Sequence, residues 1–266
     1  MLSSVGIEHQ LHRDEGHWHL LVHEDRLIVA RHQLNQYTLE NQLKPEPPNQ
    51  VVTFETGAIG VTGYLLIIWG AAFAEFAGVL NRTTGIMHAG AVVDGEWWRT
   101  ITALTLHADL GHLISNSMFG ALFVGLTCRY LGWGFGWLLT LSAGALGNTL
   151  NAWIQAEQFR SLGASTAVFA ALGCVGMFVW QRGYLRKWGW RRSFAPLFAA
   201  IALVAYTGTG GGNTDVAAHL LGFASGAAAG WAVSRAPGYW FSSSVLQGAA
   251  AWVAGLTIVT AWMLAQ

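Results

Sequence analysis

The chain has 266 residues, of which 53% are hydrophobic and only 11% charged, and its mean hydropathy is +0.39. A soluble domain carries roughly 25% charged residues, so this chain cannot coat a water-facing surface of its size; a soluble globule, a disordered chain, a collagen and a coiled coil are excluded, and most of it must face lipid. Net charge is zero, which leaves no basic footprint for nucleic acid, while 33 glycines and 14 tryptophans supply what lets membrane helices pack closely and what favours the membrane–water boundary.

Residues 1–50 stand apart. They hold six of the ten histidines and seven of the fourteen acidic residues, and they lack the apolar run of a signal peptide. His17–Val22 reads as a short strand. From Glu24 to Asn41, Leu27, Ala30, Leu34 and Tyr37 recur at spacings of 3, 4 and 3, which predicts an amphipathic helix. Pro45, Pro47 and Pro48 end it with a stiff linker. The segment is expected to be a small, water-soluble cytosolic element. Its histidines at 9, 12, 17, 19 and 23 have no accompanying cysteine and fit no closed zinc pattern, so no metal or other cofactor is expected.

Seven apolar runs follow, at 58–79, 111–128, 133–154, 165–181, 195–208, 215–233 and 246–264. A spanning helix needs about 20 apolar residues, so the fourth and fifth runs are short. With the N-terminus cytoplasmic, the inside carries 11 Lys and Arg residues and the outside only Arg82, Arg99 and Arg160. The 181–193 loop alone holds five of the eleven. This predicts a multi-pass protein of the cell membrane with the N-terminus inside and the C-terminus outside. Cys128 and Cys174 fall within or at the ends of apolar runs, where no structural disulfide is expected.

Polar groups at membrane depth are costly and mark function by default. Three places stand out. His107 is followed by His112 and Asn116, the latter two one turn apart on one helix face. Gly163-Ala-Ser165 opens the fourth run, with Phe169, Gly173 and Gly176 on the face of Ser165. Asp215 and His219 open the sixth, with Gly222, Gly226 and Gly230 on the face of His219. Singly, each has a plain reading: a serine bonded back to its own helix, a packed histidine, a small-residue stripe that only packs. Together they predict that the two glycine stripes bring the fourth and sixth runs nearly backbone to backbone. A serine hydroxyl and an imidazole would then meet near the outer ends of their helices. A serine becomes a nucleophile when a base lies within about 3 Å, and His112 and Asn116 would supply donors for an oxyanion. Asp215, one turn before His219, either orients it or, with Asn213 and Thr214 as competitors, caps the sixth helix.

The set His107, His112, Asn116, with Gly-x-Ser at 163–165 and Ala218-His219-x-x-Gly222, resembles the rhomboid intramembrane serine proteases. Glu96-Trp97-Trp98-Arg99 resembles that family's hallmark outer loop, and the likeness runs over residues 60–233. The resemblance implies an all-α membrane fold of six transmembrane helices plus a seventh. It implies residues 1–50 as the soluble segment, 51–234 as the catalytic core, and 235–266 as a linker with the additional helix. It implies Ser165 as nucleophile, His219 as general base, and His112 and Asn116 with the Ser165 backbone N–H around an oxyanion. Trp98 and Arg99 would stabilise the outer loop, and His107 would be structural. Substrates would be membrane proteins with a transmembrane helix, met in the bilayer, with no nucleic acid and no cofactor. Two positions depart from the family pattern: Thr166 stands where glycine is usual, and Phe169 where tyrosine is common. The rival readings are a catalytically inactive relative that binds or escorts membrane clients, which would lack the serine or the histidine, and a small transporter, which would carry an internal repeat.

Overall fold

A computed structural model describes residues 1–41, 52–54, 57–184, 198, 202 and 215–266. They fall into two compact units, Met1–Asn49 and Gln50–Gln266.

In the first unit β1 (His9–Asp14) pairs antiparallel with β2 (His17–Val22), from His9 opposite Val22 to Asp14 opposite His17. Glu15 and Gly16 turn the chain at φ 43° and 86°, the two successive positive values of a type I′ two-residue hairpin. β2 occupies the span read from the sequence. β1 went unread because His9-Gln-Leu-His-Arg-Asp14 has one apolar residue and so no alternation to detect. A short 3₁₀ turn then leads into α1 (Leu27–Asn41). Its burial differs from the predicted stripe. Ala30 alone of the four is buried, among Leu2 and Ile7 with Leu20 and Val22 at the edge, while Leu27, Leu34 and Tyr37 are exposed. Apolar residues lie all round this helix, so a spacing argument selects no single face. The proline linker lies outside the described residues.

The second unit is built on long helices: α2 (Gly57–Phe76), α3 (Leu110–Leu131), α4 (Trp133–Ile154), α5 (Ser165–Gln181), α6 (Val216–Val233) and α7 (Ser244–Leu264). Among the described residues, α2, α3, α6 and α7 are long and apolar enough to cross a membrane. At 22 residues α4 has the length, but Thr140, Ser142, Asn148, Thr149 and Asn151 dilute its hydropathy. α5, at 17 residues, is short. Apart from residues 198 and 202, the predicted run at 195–208 lies outside the described residues, as does the arginine-rich stretch beyond residue 184. Outward faces are apolar: Leu66, Phe73, Trp252 and Met263 are each at least 70% exposed, the surface expected toward lipid rather than water.

α5 is the hub, with 13 of its 17 residues buried. Its closest neighbour is α6, then α4. Glycines explain the closeness. A Cβ placed on Gly222, Gly226 or Gly230 of α6 would lie 2.4, 1.9 or 2.2 Å from the carbonyl oxygens of Thr166, Ala170 and Cys174. Reciprocally, one on Gly173 of α5 would lie 2.2 Å from Phe223 O. Only hydrogen fits at each of these positions, so the two backbones touch along three turns.

α7 closes the other flank through Gln247, which is buried. Its Oε1 accepts from the N–H groups of Gly134 and Phe135 at 2.7 and 3.1 Å, and its Nε2 donates to Leu131 O and Phe241 O at 2.8 and 2.9 Å. The first turn of α4 has no earlier turn to bond; Gln247 supplies the missing acceptor. At the far end of α7, Trp262 Nε1 donates to Thr105 Oγ1 at 3.1 Å.

Candidate active site

Residues 77–109, between α2 and α3, form short turns braced by two cations: Arg82 pairs with Glu75 of α2 and donates to His107 O at 2.8 Å, and Arg99 is the second. Arg99 pairs with Glu96 and donates to the carbonyls of Thr83 and Ile86 at 3.1 and 3.0 Å. Trp98 packs against the buried cluster of Leu106 with Trp262 and Ala265. The predicted loop-stabilising pair is thus found holding that loop. It also carries β3 (Met87–His88), which pairs antiparallel with β4 (Arg160–Ser161) just before Ser165. This two-residue pairing is too short to leave a sequence pattern.

From β4 the chain passes through Gly163 at φ +135°, a region that favours glycine. Its N–H donates to Ala103 O at 2.9 Å. A Cβ here would lie 2.6 Å from His112 Cε1 and 2.8 Å from Nε2. Gly163 therefore serves two ends: it makes the turn into α5, and it lets the His112 ring lie against the chain two residues before Ser165.

Ser165 starts α5 and is half-buried; His219, in the first turn of α6, is buried. Ser165 Oγ and His219 Nε2 lie 2.9 Å apart. Fifty-four residues separate them in the chain, and the glycine contacts of α5 with α6 bring them together. Phe169, one turn below Ser165, stacks on the His219 ring with centroids 4.5 Å apart and planes 19° from parallel. The aromatic ring that the family pattern leads one to expect is therefore present as phenylalanine. Thr166 is buried, and its Cγ2 occupies the space left by Gly147 of α4 and Gly222 of α6, 3.0 Å from where either would carry a Cβ. The extra bulk points into the helix packing, away from narrowing the site.

Asp109 caps α3 by accepting from the His112 N–H at 2.8 Å. The Ala108 N–H faces His112 Nδ1 at 3.4 Å. Asn116, one turn on, is buried, and its Nδ2 has no hydrogen-bond partner among the described residues. Its carbonyl accepts from Tyr64 Oη of α2 at 2.8 Å, and that ring occupies the space beside Gly120. His107 is buried and packs edge-on against the His112 ring at 5.3 Å.

Asp215 caps α6: its Oδ1 accepts from the Ala218 N–H at 3.0 Å, and its Oδ2 accepts from Asn151 Nδ2 of α4 at 2.6 Å. Both oxygens are thus engaged away from the imidazole. Asn213 and Thr214, the competing caps, lie outside the described residues. Asn151, Gly147 and Gln247 were not singled out from the sequence; the two polar ones were visible as amides inside apolar runs. Among the described residues, no three His, Cys, Asp or Glu side chains are grouped to hold a metal ion.

A Rhomboid domain profile matches residues 94–236, and the chain belongs to the rhomboid family. It is similar to YdcA of Bacillus subtilis (strain 168), with 32% identity over 148 residues, 56% of this chain and 73% of that one. It is also similar to the rhomboid protease GluP of the same organism, with 31% identity over 159 residues, 57% of this chain but 30% of that longer protein. Family and apolar helices together make it an integral, multi-pass membrane protein. Rhomboid proteases act on membrane-protein substrates within the bilayer.

Proposed function

We propose that this chain is an intramembrane serine endopeptidase that cleaves transmembrane segments with a Ser165–His219 dyad. The observation that carries this reading is the 2.9 Å separation of Ser165 Oγ from His219 Nε2, on helices locked by glycine contacts. The hydroxyl donates its proton to Nε2 as Oγ attacks the scissile carbonyl. His219 then returns that proton to the leaving amine, and an ester to Ser165 remains. Water attacks the ester by the same route in reverse, freeing the acid and restoring the serine. The stacked Phe169 holds the imidazole plane through both steps.

The oxyanion formed in each step is assigned to the Ser165 N–H, His112 and Asn116. An Ala108 N–H facing His112 Nδ1 favours the neutral tautomer with its proton on Nε2, the atom beside Gly163. Asn116 Nδ2 is a second donor. Such fixed donors act in a water-poor site without reorganising, which is where they are worth most.

The chain is read as residues 1–50 in the cytosol, 51–234 as the catalytic core with six transmembrane helices, and 235–266 as linker and seventh helix. It is read as residing in the cell membrane with the C-terminus outside. In that arrangement α5 starts at the outer side, and its 17 residues at about 1.5 Å each give roughly 25 Å, short of a hydrocarbon core of about 30 Å, which leaves room for Ser165 below the outer surface. An intact dyad disfavours the inactive-escort alternative. The test is incubation of the purified protein with a single-pass membrane substrate beside Ser165→Ala; cleavage by both proteins alike, or by neither, refutes the reading.

A further inference from the structure

We infer that Asn151 and Asp215 act as a positioning pair that holds the first turn of α6, and through it the His219 imidazole, within reach of Ser165. The inference rests on the dyad reading above.

α6 begins at Val216, and His219 lies in its first turn. A helix start is the part of a helix most prone to fray, so a base placed there needs external support. Two contacts with α4 supply it, one on each side of His219. Below it, a Cβ on Gly147 would lie 2.8 Å from Gly222 Cα, so α4 and α6 touch there. Above it, Asn151, one turn beyond Gly147 and fully buried, donates through Nδ2 to Asp215 Oδ2 at 2.6 Å.

The remaining atoms give the pair a direction. Asp215 Oδ1 is occupied by the Ala218 N–H, and the Asp215 carbonyl accepts from the His219 N–H at 3.2 Å. Asn151 Oδ1 accepts from Gln155 Nε2 at 3.3 Å. Asn151 therefore presents its donor side to α6, and a flipped amide would lose the Gln155 bond and set oxygen against oxygen. A carboxylate facing an amide N–H is a charge-assisted, directional bond. It adds, above His219, a directional tie between α4 and α6 to the glycine contact below it.

Capping and positioning are separable. Serine is a good N-cap but is too short to reach Asn151, so Asp215→Ser keeps the cap and removes the pair. Asn151→Leu keeps the bulk and removes the donor. Asn151→Asp sets two carboxylates face to face, and adding Asp215→Asn to it restores one donor opposite one acceptor. The full-length protein in detergent is treated with a fluorophosphonate, whose reaction rate reads nucleophile activation without a peptide. Turnover of a single-pass substrate is measured alongside, with thermal midpoints for every variant.

A displacement of about 1 Å at a reacting group costs on the order of 10²-fold in rate. Asp215→Ser and Asn151→Leu are each expected to lose roughly 10- to 100-fold in labelling rate and kcat, with KM near that of the parent; the stranded partner lowers the thermal midpoint, so rates are compared well below every variant's midpoint. The exchanged pair should recover most of the loss seen in Asn151→Asp. Parental rates in Asp215→Ser or Asn151→Leu, or an exchanged pair no better than Asn151→Asp, overturn the pair. A parent that does not label, or a Ser165→Ala variant that labels equally, overturns the dyad reading beneath it.

Discussion

Ser165 is an ordinary hydroxyl until His219 Nε2 comes within 2.9 Å, so the two side chains are expected to behave as one catalytic unit. Ser165→Ala and His219→Ala should each abolish cleavage, and the double variant should be no worse than either single one, because members of such a unit are grossly non-additive. Substantial turnover by either single variant would remove the dyad. Asn116 is a different case. It is one of three proposed donors, and the loss of one oxyanion donor costs about 10²–10³ in rate. Asn116→Ala should therefore leave measurable kcat, and either full activity or a complete loss with an intact fold would count against its role.

At the scale of elements, catalysis depends on how closely α5 and α6 approach. Gly222 sets that distance beside the dyad, with Thr166 O on one side and the Thr166 methyl filling the gap toward Gly147. Gly222→Val overpacks this contact, a change worth about 1–3 kcal/mol, and pushes the imidazole off the hydroxyl. Gly255 of α7 has no atom within 4 Å of its would-be Cβ, so Gly255→Val is the matched control. Both variants should insert into membranes, and only Gly222→Val should lose most of its activity. Equal activities would show that the glycine contact does not govern the site.

For the whole molecule, α7 acts as a brace. It joins the start of α4 through Gln247 and the loop before α3 through the Trp262–Thr105 bond. Gln247→Leu would strand buried N–H and C=O groups, each at a cost of about 1–3 kcal/mol. Its thermal midpoint in detergent should fall clearly below that of the parent, and an unchanged midpoint would refute the brace. Topology has its own test. Gln158 is exposed in the α4–α5 connection, so a cysteine there, in a background without Cys128 and Cys174, should react with an impermeant thiol reagent from outside the cell. Labelling from the cytoplasmic side alone would invert the proposed orientation.

Much of this was legible in one dimension because lipid imposes a strong one-dimensional constraint. A helix facing hydrocarbon must be apolar over its length, so the runs at 58–79, 111–128, 133–154, 165–181, 215–233 and 246–264 fall within a few residues of α2 to α7. For the same reason Ser165, His219, His112 and Asn116 were conspicuous as polar groups in apolar runs, and the glycine stripes foretold which helices would meet. Tertiary structure decided what depends on partners distant in the chain. These are the β3–β4 pairing that leads into Ser165, the turn of the Thr166 methyl into the space of Gly147 and Gly222, and the use of Asp215 as a cap held by Asn151. Gln247 belongs with them, an amide in an apolar helix whose four bonds all reach groups outside that helix. Hydropathy records what a residue avoids, and it is silent on which of several buried donors and acceptors will face each other. That choice is made by helix packing, where one missing Cβ sets which atoms come within bonding distance.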